Sequence, residues 1–437
     1  MHSNKLLPLP AAIRAARLGG LFTLLLPSLV LAAPSGASIV AGQAAISTPQ
    51  ANITVISQTS QNAVINWQQF NVGQNESVQF NQPNASAAIL NRVIGGSPSD
   101  ILGNINAIGR VFLVNPSGVM FGRTTQLNVG SLVASTLNIS DRDFMAGHYA
   151  FAGNSTAAVT NDGTINAGQG GFVVLAGDYV NNSGIVQAQL GTVALASGSA
   201  VTLDMNGDGL INLSVDQAAL SSRAGAANLG MLAAQGGTVI MTASVAQSLA
   251  STAVNNSGIV NASGIEERGG DIYLTAQGGG INNSGRLDAS GNGQDGGHVS
   301  VRGDGDILLA AASTIDASGA NGGTLHAVAG QRLTLAQGAN TSVANVSNAG
   351  KGGFAELSGH NVSLRDVVSL GHGGHLLIDP ADITIGPNNA DFSQSTLESQ
   401  LQNTNGYGGD VNIVATNSIT VQALTNGILD GTSSGNG

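Results

Sequence analysis

From Val159 onward, the chain repeats one short pattern of β-forming residues, Asn and Gly at intervals of about 20 to 28 residues. The segment Val159–Gly177 returns as Val180–Gly198, 21 residues later, and Val254–Gly264 returns as Ile281–Gly291, 27 residues later. A unit this short contains only a few strands and cannot bury its own apolar side. The pattern therefore requires that successive units stack on one another.

Stacked units of this kind predict an all-β fold, a right-handed parallel β-helix (solenoid) with short extra-helical hairpins. Rungs ~4.8 Å apart pair each strand with the next rung, and Val, Ile, Leu and Ala fill the interior. Repeated Asn residues can form ladders of hydrogen-bonded amides. Such a core needs few large rings, which agrees with an aromatic content of 3%. The predicted rod is on the order of 80 Å long.

A disordered linker is the alternative interpretation of sequence rich in Gly, Asn and Ser. The regular apolar runs and the positive mean hydropathy disfavour it, because a disordered chain lacks enough apolar surface to bury. Helical periodicity is confined to Ser393–Asn403, where Ser395 and Glu398 have the spacing of a capping box. The C-terminal end shows no capping element, which predicts that the repeats continue beyond Gly437.

Residues 1–32 have the pattern of a secretory signal peptide. Lys5, Arg14 and Arg17 form the basic region, and Leu18–Leu31 is an apolar run too short for a membrane anchor. Small residues favour cleavage before Ala33. Removal of this leader would take the formal net charge from −11 to −14.

The charge of the chain limits the classes of molecule that it can bind. Lys351 is the only lysine after the leader, and no basic patch is present, so nucleic acid is a poor partner. The chain has no cysteine, which excludes disulfides and thiolate chemistry.

The stretch Asn71–Gly122 is poor in charge and carries several short motifs. Together with its flanks it resembles the N-terminal secretion domain of two-partner-secretion exoproteins, the filamentous haemagglutinin and high-molecular-weight adhesin family. Four segments carry the resemblance: Ile65–Asn71, Gln82–Val93, Gly109–Val119 and Ser131–Leu137. Three residues depart from the family pattern, where Asn, Gln and Asn are more usual: Ile108, Arg110 and Ser117.

The resemblance implies a domain order and a function. It implies a secretion domain over residues 33–160 and a β-helical repeat region over residues 161–437. Its partner would be an outer-membrane β-barrel transporter of a Gram-negative bacterium, reached through the periplasm. The chain would then be secreted or stay on the cell surface as an adhesin, with a receptor or glycan as a further partner and no cofactor. The candidate secretion-motif residues are Gln82, Pro83, Asn84, Asn91, Arg92, Asn115, Pro116, Ser117 and Gly118.

Two weak metal candidates occur among the repeats. Asp204, Asn206 and Asp208 match the first half of a calcium loop, but Val215 stands where the bidentate Glu belongs. His372 and His375 could pair on a metal, yet no third ligand has suitable spacing. Solvated turns are the simpler expectation at both places.

Two other function classes remain open. β-Helices also host carbohydrate-active enzymes, whose sites need clustered carboxylates or carboxylates with Lys or Arg. Asp288 and Asp316 occupy equivalent repeat positions, but the sequence predicts no basic partner beside them, so a non-enzymatic protein is expected. The carrier stalk of a contact-dependent toxin is the second alternative.

Overall fold

The computed structural model describes residues 33–204, 212–219, 221–246, 251–265, 269–347, 349–387, 390–405, 409–425 and 427–429. The predicted signal peptide, residues 1–32, and two of the calcium candidates, Asn206 and Asp208, lie outside the described residues.

Most strands of the described residues form three ladders, in which each strand pairs in parallel with the equivalent strand of the next rung. Ladder A contains Ser38–Ala41, Asn62–Trp67, Ala88–Val93, Arg110–Val114, Ser131–Ser135, Phe172–Gly177, Thr192–Ser197, Thr238–Ser244, Asp271–Gln277, His298–Gly303, Asp410–Ile413 and the first halves of Thr324–Leu335, Phe354–Leu364 and His375–Gly386.

Ladder B contains Ser99–Ile101, Val119–Phe121, Ala158–Asn161, Tyr179–Asn182, Gly225–Asn228, Thr252–Asn256, Gly280–Asn283, Ile307–Leu309, Phe392–Ser393, Ser418–Val421 and the second halves of the same three long strands. Ladder C contains Ala44–Gln50, Ile53–Gln58, Ser77–Asn81, Asn104–Ala107, Gln126–Val129, Thr164–Ala167, Ile185–Gln187, Met231–Ala233, Ile259–Asn261, Arg286–Asp288, Thr314–Asp316, Asn340–Ser342 and Val368–Ser369. The first strands of ladders A and C pair antiparallel to their neighbours.

The observed registers are those of the sequence repeat. Val159 lies beside Val180, and Val254 lies beside Ile281. The chain runs through ladders B, C and A in turn and then begins the next rung, so side chains at equivalent repeat positions stack. The prediction of an all-β, parallel β-helical fold is confirmed.

Asparagine side chains form a column inside the solenoid. The amide nitrogens of Asn161, Asn182, Asn228 and Asn256 each donate to the side-chain oxygen of the next member, at 2.8, 2.9, 2.9 and 2.8 Å, and the column ends at Asn283. All five side chains are fully buried. The amides pair with one another because a buried polar group without a partner is costly.

A second hydrophobic core lies on the outer side of ladder A. Helix α1 (Asp141–Ala146) and a three-stranded antiparallel sheet of the described residues (Tyr149–Ala152, Ala200–Asp204 and Asn212–Gln217) form an outer layer over the early rungs. Phe112, Phe144 and Tyr149 are among its buried members, with ring centroids 5.0 to 5.9 Å apart. The antiparallel sheet is the extra-helical hairpin structure that the sequence predicted, whereas α1 was missed.

Helix α2 (Gln394–Asn405) confirms the predicted helix but not its cap. The Ser393 hydroxyl, not that of Ser395, accepts the Thr396 N–H at 3.1 Å, and Glu398 instead accepts from the Gln394 amide at 2.8 Å. The buried Gln400 amide accepts the N–H of Val368 at 2.8 Å and donates to its carbonyl at 3.0 Å. The Gln400 side chain therefore pairs with the last strand of ladder C as a further strand would.

Candidate functional site

Gln82 lies buried at the corner between ladders C and A. Its side-chain oxygen accepts the Gly109 N–H at 2.9 Å, and its nitrogen donates at 3.2 Å to both the Gln58 amide oxygen and the Ala87 carbonyl. These partners belong to three successive rungs, so one amide ties three rungs together. Pro83 and Asn84 are exposed, and Asn84 accepts from the Ser86 N–H at 3.0 Å to close the local turn.

Asn91 and Arg92 are neighbours in one strand and therefore point to opposite sides of ladder A. Asn91 is fully buried inside the solenoid, where it accepts the Trp67 indole N–H at 3.0 Å and donates to the Phe112 carbonyl at 3.4 Å. Arg92 points outward. Its guanidinium donates to the Asn138 side chain at 2.9 Å and to the Ile139 carbonyl at 2.5 Å. Asn91 and Arg92 thus join the interior of the solenoid to the outer layer.

Asn115, Pro116, Ser117 and Gly118 make the corner between ladders A and B. Asn115 is buried, and its amide donates to the Ser97 carbonyl at 2.9 Å and the Ser99 hydroxyl at 3.0 Å of the preceding rung. Its side-chain oxygen accepts the Ser117 N–H at 2.9 Å, which is an Asx turn.

Gly118 completes this turn with φ = +120°, a conformation that favours glycine, and donates its N–H to the Asn115 carbonyl at 3.0 Å. Pro116 is exposed at the tip of the turn, where its carbonyl accepts from the Ser155 hydroxyl at 2.6 Å.

The structure brings some of the predicted motif residues together and separates others. Arg92 lies in register with Val114, directly before Asn115, so these two motifs adjoin. The Gln82 corner lies at the other end of the ladder A strands. Buried amides dominate both places, and the residues exposed to solvent are Pro83, Asn84 and Pro116.

Departures from the family pattern have simple structural explanations. Ile108 is 57% exposed, so replacing a polar residue there disturbs no interior contact. Ser117 enters the turn through its backbone N–H, which any residue but proline supplies. The Arg110 guanidinium carbon lies 6.0 Å from the Phe172 ring centroid. Burial raises the pKa of the Tyr149 hydroxyl, and the charge and hydrogen bond of Arg110 partly oppose that rise.

Arg110 and Arg92 both contact the outer layer, and sequence reasoning missed this role. The signal that could have located the layer was Ser140, whose hydroxyl accepts the Asp143 N–H at 3.0 Å as the N-cap of α1. Gly147 ends the helix in a left-handed conformation with φ = 79°. Ser at the N-cap and Gly at the C-cap are residue types that can be recognised as helix ends in a sequence.

The metal candidates gain no support from the described residues. Asp204 is exposed at the end of its strand, and Val215 packs against the second core. The His372 N–H donates to the Asn345 side chain at 2.6 Å, while His375 Nδ1 lies 3.2 Å from an Asp410 carboxylate oxygen. Within the described part of the chain, no group of three or more His, Asp or Glu side chains converges in a way that could hold a metal ion.

Asp288 and Asp316 do stack, but the expectation that they lack a basic partner was wrong. The Arg286 guanidinium lies 2.8 Å from the Asp288 carboxylate and 3.4 Å from that of Asp316. Burial raises the pKa of Asp288, but hydrogen bonds from Ser290 and Arg286 outweigh burial and hold the pKa below its usual value. Residues two apart in a strand share a face, so the spacing of Arg286 and Asp288 could have shown the pair.

Among the described residues, no helix has the length and apolarity needed to span a membrane. A family model for the TPS secretion domain matches residues 32–289. The crystal structure of the HMW1 secretion domain from Haemophilus influenzae matches with a TM-score of 0.70 and 26% identity, over 89% of this chain and all of that one.

Curated relatives are also found. A heme/hemopexin-binding protein of Haemophilus influenzae strain Rd is 35% identical over 200 residues, which is 43% of this chain and 22% of that protein. A second protein of that name from Haemophilus influenzae is 37% identical over 118 residues, which is 27% of this chain and 13% of the relative. The chain thus spans less than a quarter of each relative. The family match and the shared β-helix show that the chain belongs to the TPS secretion-domain family of haemagglutinin-like exoproteins.

Proposed function

We propose that this chain is the export module and first rungs of an exoprotein that an outer-membrane β-barrel transporter recognises in the periplasm. A leader over residues 1–32 would deliver it there, and the transporter would pass it to the medium or the cell surface of a Gram-negative bacterium. The family match over residues 32–289 is the observation that carries this proposal. A solenoid suits such a route because each rung contacts only its neighbours and can form as it emerges.

Burial of the motif supports a specific mechanism for it. Gln82, Asn91 and Asn115 have their side chains inside the folded solenoid, where a transporter could not reach them. Each amide bonds across rungs, so these residues act by joining the first rungs rather than by touching the transporter. A transporter that contacts these side chains directly would have to bind the chain before the first rungs fold.

The proposed boundary between the secretion domain (33–160) and the repeats (161–437) does not coincide with a break in the ladders. The strand Ala158–Asn161 pairs with Val119–Phe121 before it and with Tyr179–Asn182 after it. We expect residues 33–160 to suffice for transporter recognition, with the later rungs supplying length. The passenger would act as an adhesin-type binding protein rather than an enzyme.

A non-catalytic role fits the contacts of the stacked carboxylates. Asp288 and Asp316 each accept the N–H and hydroxyl of the serine two residues later, at 2.6 to 3.1 Å, and both contact Arg286. Carboxylates used in this way close turns and neutralise an arginine. The relatives named for binding heme or hemopexin support ligand binding outside the cell as the role of the exoprotein.

Export is the direct test. The chain would be expressed in a Gram-negative host with and without a candidate two-partner-secretion transporter from the same genetic neighbourhood, and the medium and cell surface would be assayed by immunoblot. We expect export only with the transporter. Gln82→Ala and Asn115→Ala should reduce export, whereas Asn84→Ala and the control Ile108→Asn should not. Periplasmic retention of the parent with its transporter would overturn the proposal, and export of Gln82→Ala and Asn115→Ala at the level of the parent would overturn the folding mechanism.

A further inference from the structure

The outward side chains of ladder A are part of the second core only up to Ile240. Up to this residue, outward side chains pack into the second core under α1 and the antiparallel sheet. The residue in register with Ile240 on the next strand is Tyr273, and no described residue of the second core follows Ile240. From Tyr273 onward, the outward side chains of ladder A are half-buried or exposed, apart from the two small side chains of Ser300 and Ser358, which are buried.

Four rings lie side by side on this open face. The centroids of Tyr273 and His298 are 5.7 Å apart, those of His298 and His326 are 5.4 Å apart, and those of His326 and Phe354 are 5.5 Å apart. Successive rings are tilted by 51° to 57°. The four residues come from four consecutive rungs, so this ring row runs along the solenoid for about 14 Å.

The position of these aromatic residues is exceptional for this chain. Every Phe, Tyr and Trp in the described residues is buried except Tyr179, Tyr273 and Phe354, which are half-buried. Two of these three residues are therefore at the two ends of the ring row. Both residues therefore keep part of their side-chain surface accessible to solvent on the outer side of ladder A.

Polar and charged groups flank the ring row. Glu356 lies 2.6 Å from His326 Nδ1 and also accepts from the Ser358 hydroxyl at 2.9 Å. Arg302 is exposed on the neighbouring strand, two residues beyond Ser300. A carboxylate and a guanidinium beside aromatic rings supply both acceptors and donors at the edge of an apolar strip, which is the combination that orients a polyhydroxylated ligand.

We propose that this open face binds a linear, uncharged glycan along the solenoid axis, with Tyr273 and Phe354 contacting the apolar faces of sugar rings and Arg302 and Glu356 bonding to hydroxyl groups. The local charges of Arg302 and Glu356 balance, and the net charge of −11 on the chain repels polyanions, so a neutral polymer fits better than an acidic one. A protein partner fits less well, because protein interfaces centre on closely packed apolar anchors, and this strip alternates rings with Ser300 and Thr324.

Affinity electrophoresis of the purified full chain in gels containing glucomannan, xyloglucan, dextran or hydroxyethylcellulose tests the proposal, with alginate and heparin as polyanion arms. We expect retardation by at least one neutral polysaccharide and by neither polyanion. Tyr273→Leu and Phe354→Leu keep apolar bulk and strand propensity, and each should weaken binding by roughly three- to tenfold. Tyr179→Leu removes the other half-buried aromatic, on ladder B, and should bind as the parent does.

Each of the following results would overturn the proposal: no retardation by any neutral polymer, stronger retardation by a polyanion, or an equal loss of binding in Tyr179→Leu. Unchanged circular dichroism and urea midpoints would show that the variants fold, and a double Tyr273→Leu/Phe354→Leu variant that still binds fully would also overturn it. Because purified protein is used, failure here leaves the export proposal intact, and failure of export leaves glycan binding intact.

Discussion

The guanidinium of Arg92 lies 2.5 Å from the carboxylate of Asp141, and this ion pair joins an early rung of ladder A to the first turn of helix α1. The Arg92 side chain is 12% exposed and that of Asp141 is 38% exposed. The same guanidinium also bonds to Asn138 and to the Ile139 carbonyl, so it organises the whole connection into the helix.

Arg92→Met should therefore loosen the outer layer. Loss of several charge-assisted hydrogen bonds from a mostly buried guanidinium is expected to lower the free energy of unfolding by roughly 2 kcal/mol. Urea denaturation measures this change, and hydrogen exchange should speed up in residues 138–152. Arg142→Met is the matched control, because the Arg142 side chain is 94% exposed, and it should change stability by less than about 0.5 kcal/mol. Equal effects of the two variants would contradict the assigned role.

A substitution in the middle of the asparagine column should lower the free energy of unfolding more than a substitution at its end. Asn228→Leu would remove the side-chain acceptor of the Asn182 amide and the side-chain donor to the Asn256 oxygen, and should lower the free energy of unfolding by about 2 to 4 kcal/mol. Asn283→Leu removes only an acceptor, and the Asn283 nitrogen has no partner among the described residues, so its cost should be about half as large. The urea midpoints of the two variants measure these losses of stability. A larger loss in Asn283→Leu than in Asn228→Leu would show that the column does not stabilise the stack cooperatively.

The turn at Gly118 should not tolerate a side chain. Its φ of +120° is unfavourable for any residue with a Cβ, and Gly118→Ala should lower the free energy of unfolding by about 1 to 3 kcal/mol. Gly168→Ala is the control, because an added Cβ there would meet its nearest atom at 3.7 Å, an ordinary contact. Thermal denaturation of both variants measures the difference. A Gly118→Ala protein as stable as the control would mean that the turn relaxes without cost.

The stacked carboxylates of Asp288 and Asp316 should make the free energy of unfolding depend on pH. The pKa of Asp288 is held below its usual value because hydrogen bonds from Ser290 and Arg286 outweigh the opposing effect of burial. A carboxyl group whose pKa is lower in the folded than in the unfolded chain contributes stability that is present above its unfolded pKa and lost as pH falls through its folded pKa. Asp288→Asn should therefore destabilise the protein at pH 7 by about 1 to 2 kcal/mol, and the difference should vanish in strong acid.

Urea midpoints of Asp288→Asn measured at intervals from pH 7 down to pH 2 test this expectation. Asp379→Asn serves as the control, because Asp379 is exposed at the surface of ladder A, and it should match the parent throughout. A penalty for Asp288→Asn that stays constant to pH 2 would contradict a charge-based origin.

The repeat predicted the ladders well because stacking places equivalent residues in register. Val159 and Val180 could be paired from the sequence, since identical neighbours Asn and Gly recur at the same offsets. The outer layer was not predicted, because α1 has only 6 residues and no periodicity of its own. A signal was nonetheless present: Phe172–Gly177 is apolar throughout, and the four central residues of Thr192–Ser197 are apolar without alternation, which indicates strands buried on both faces.

The candidate motif residues could be found in the sequence, but their placement could not. Asn115 at a turn and Asn91 in a strand both suit solvent-exposed positions, and only the three-dimensional stack shows that their amides reach inward to other rungs. Long-range partners such as Gln58 for Gln82 depend on the register of whole rungs, which a motif of a few residues does not encode.

The asparagine column also gives the solenoid a direction. From Asn161 to Asn256, every amide points its N–H toward the rung that follows in the chain, and from Asn182 onward every side-chain oxygen accepts from the rung before. Aligned amides polarise one another, so the column is a dipole with its positive end at Asn283. A chain that emerges N-terminus first would therefore always leave an N–H waiting for the oxygen of the next asparagine, and each finished rung would serve as the template for its successor.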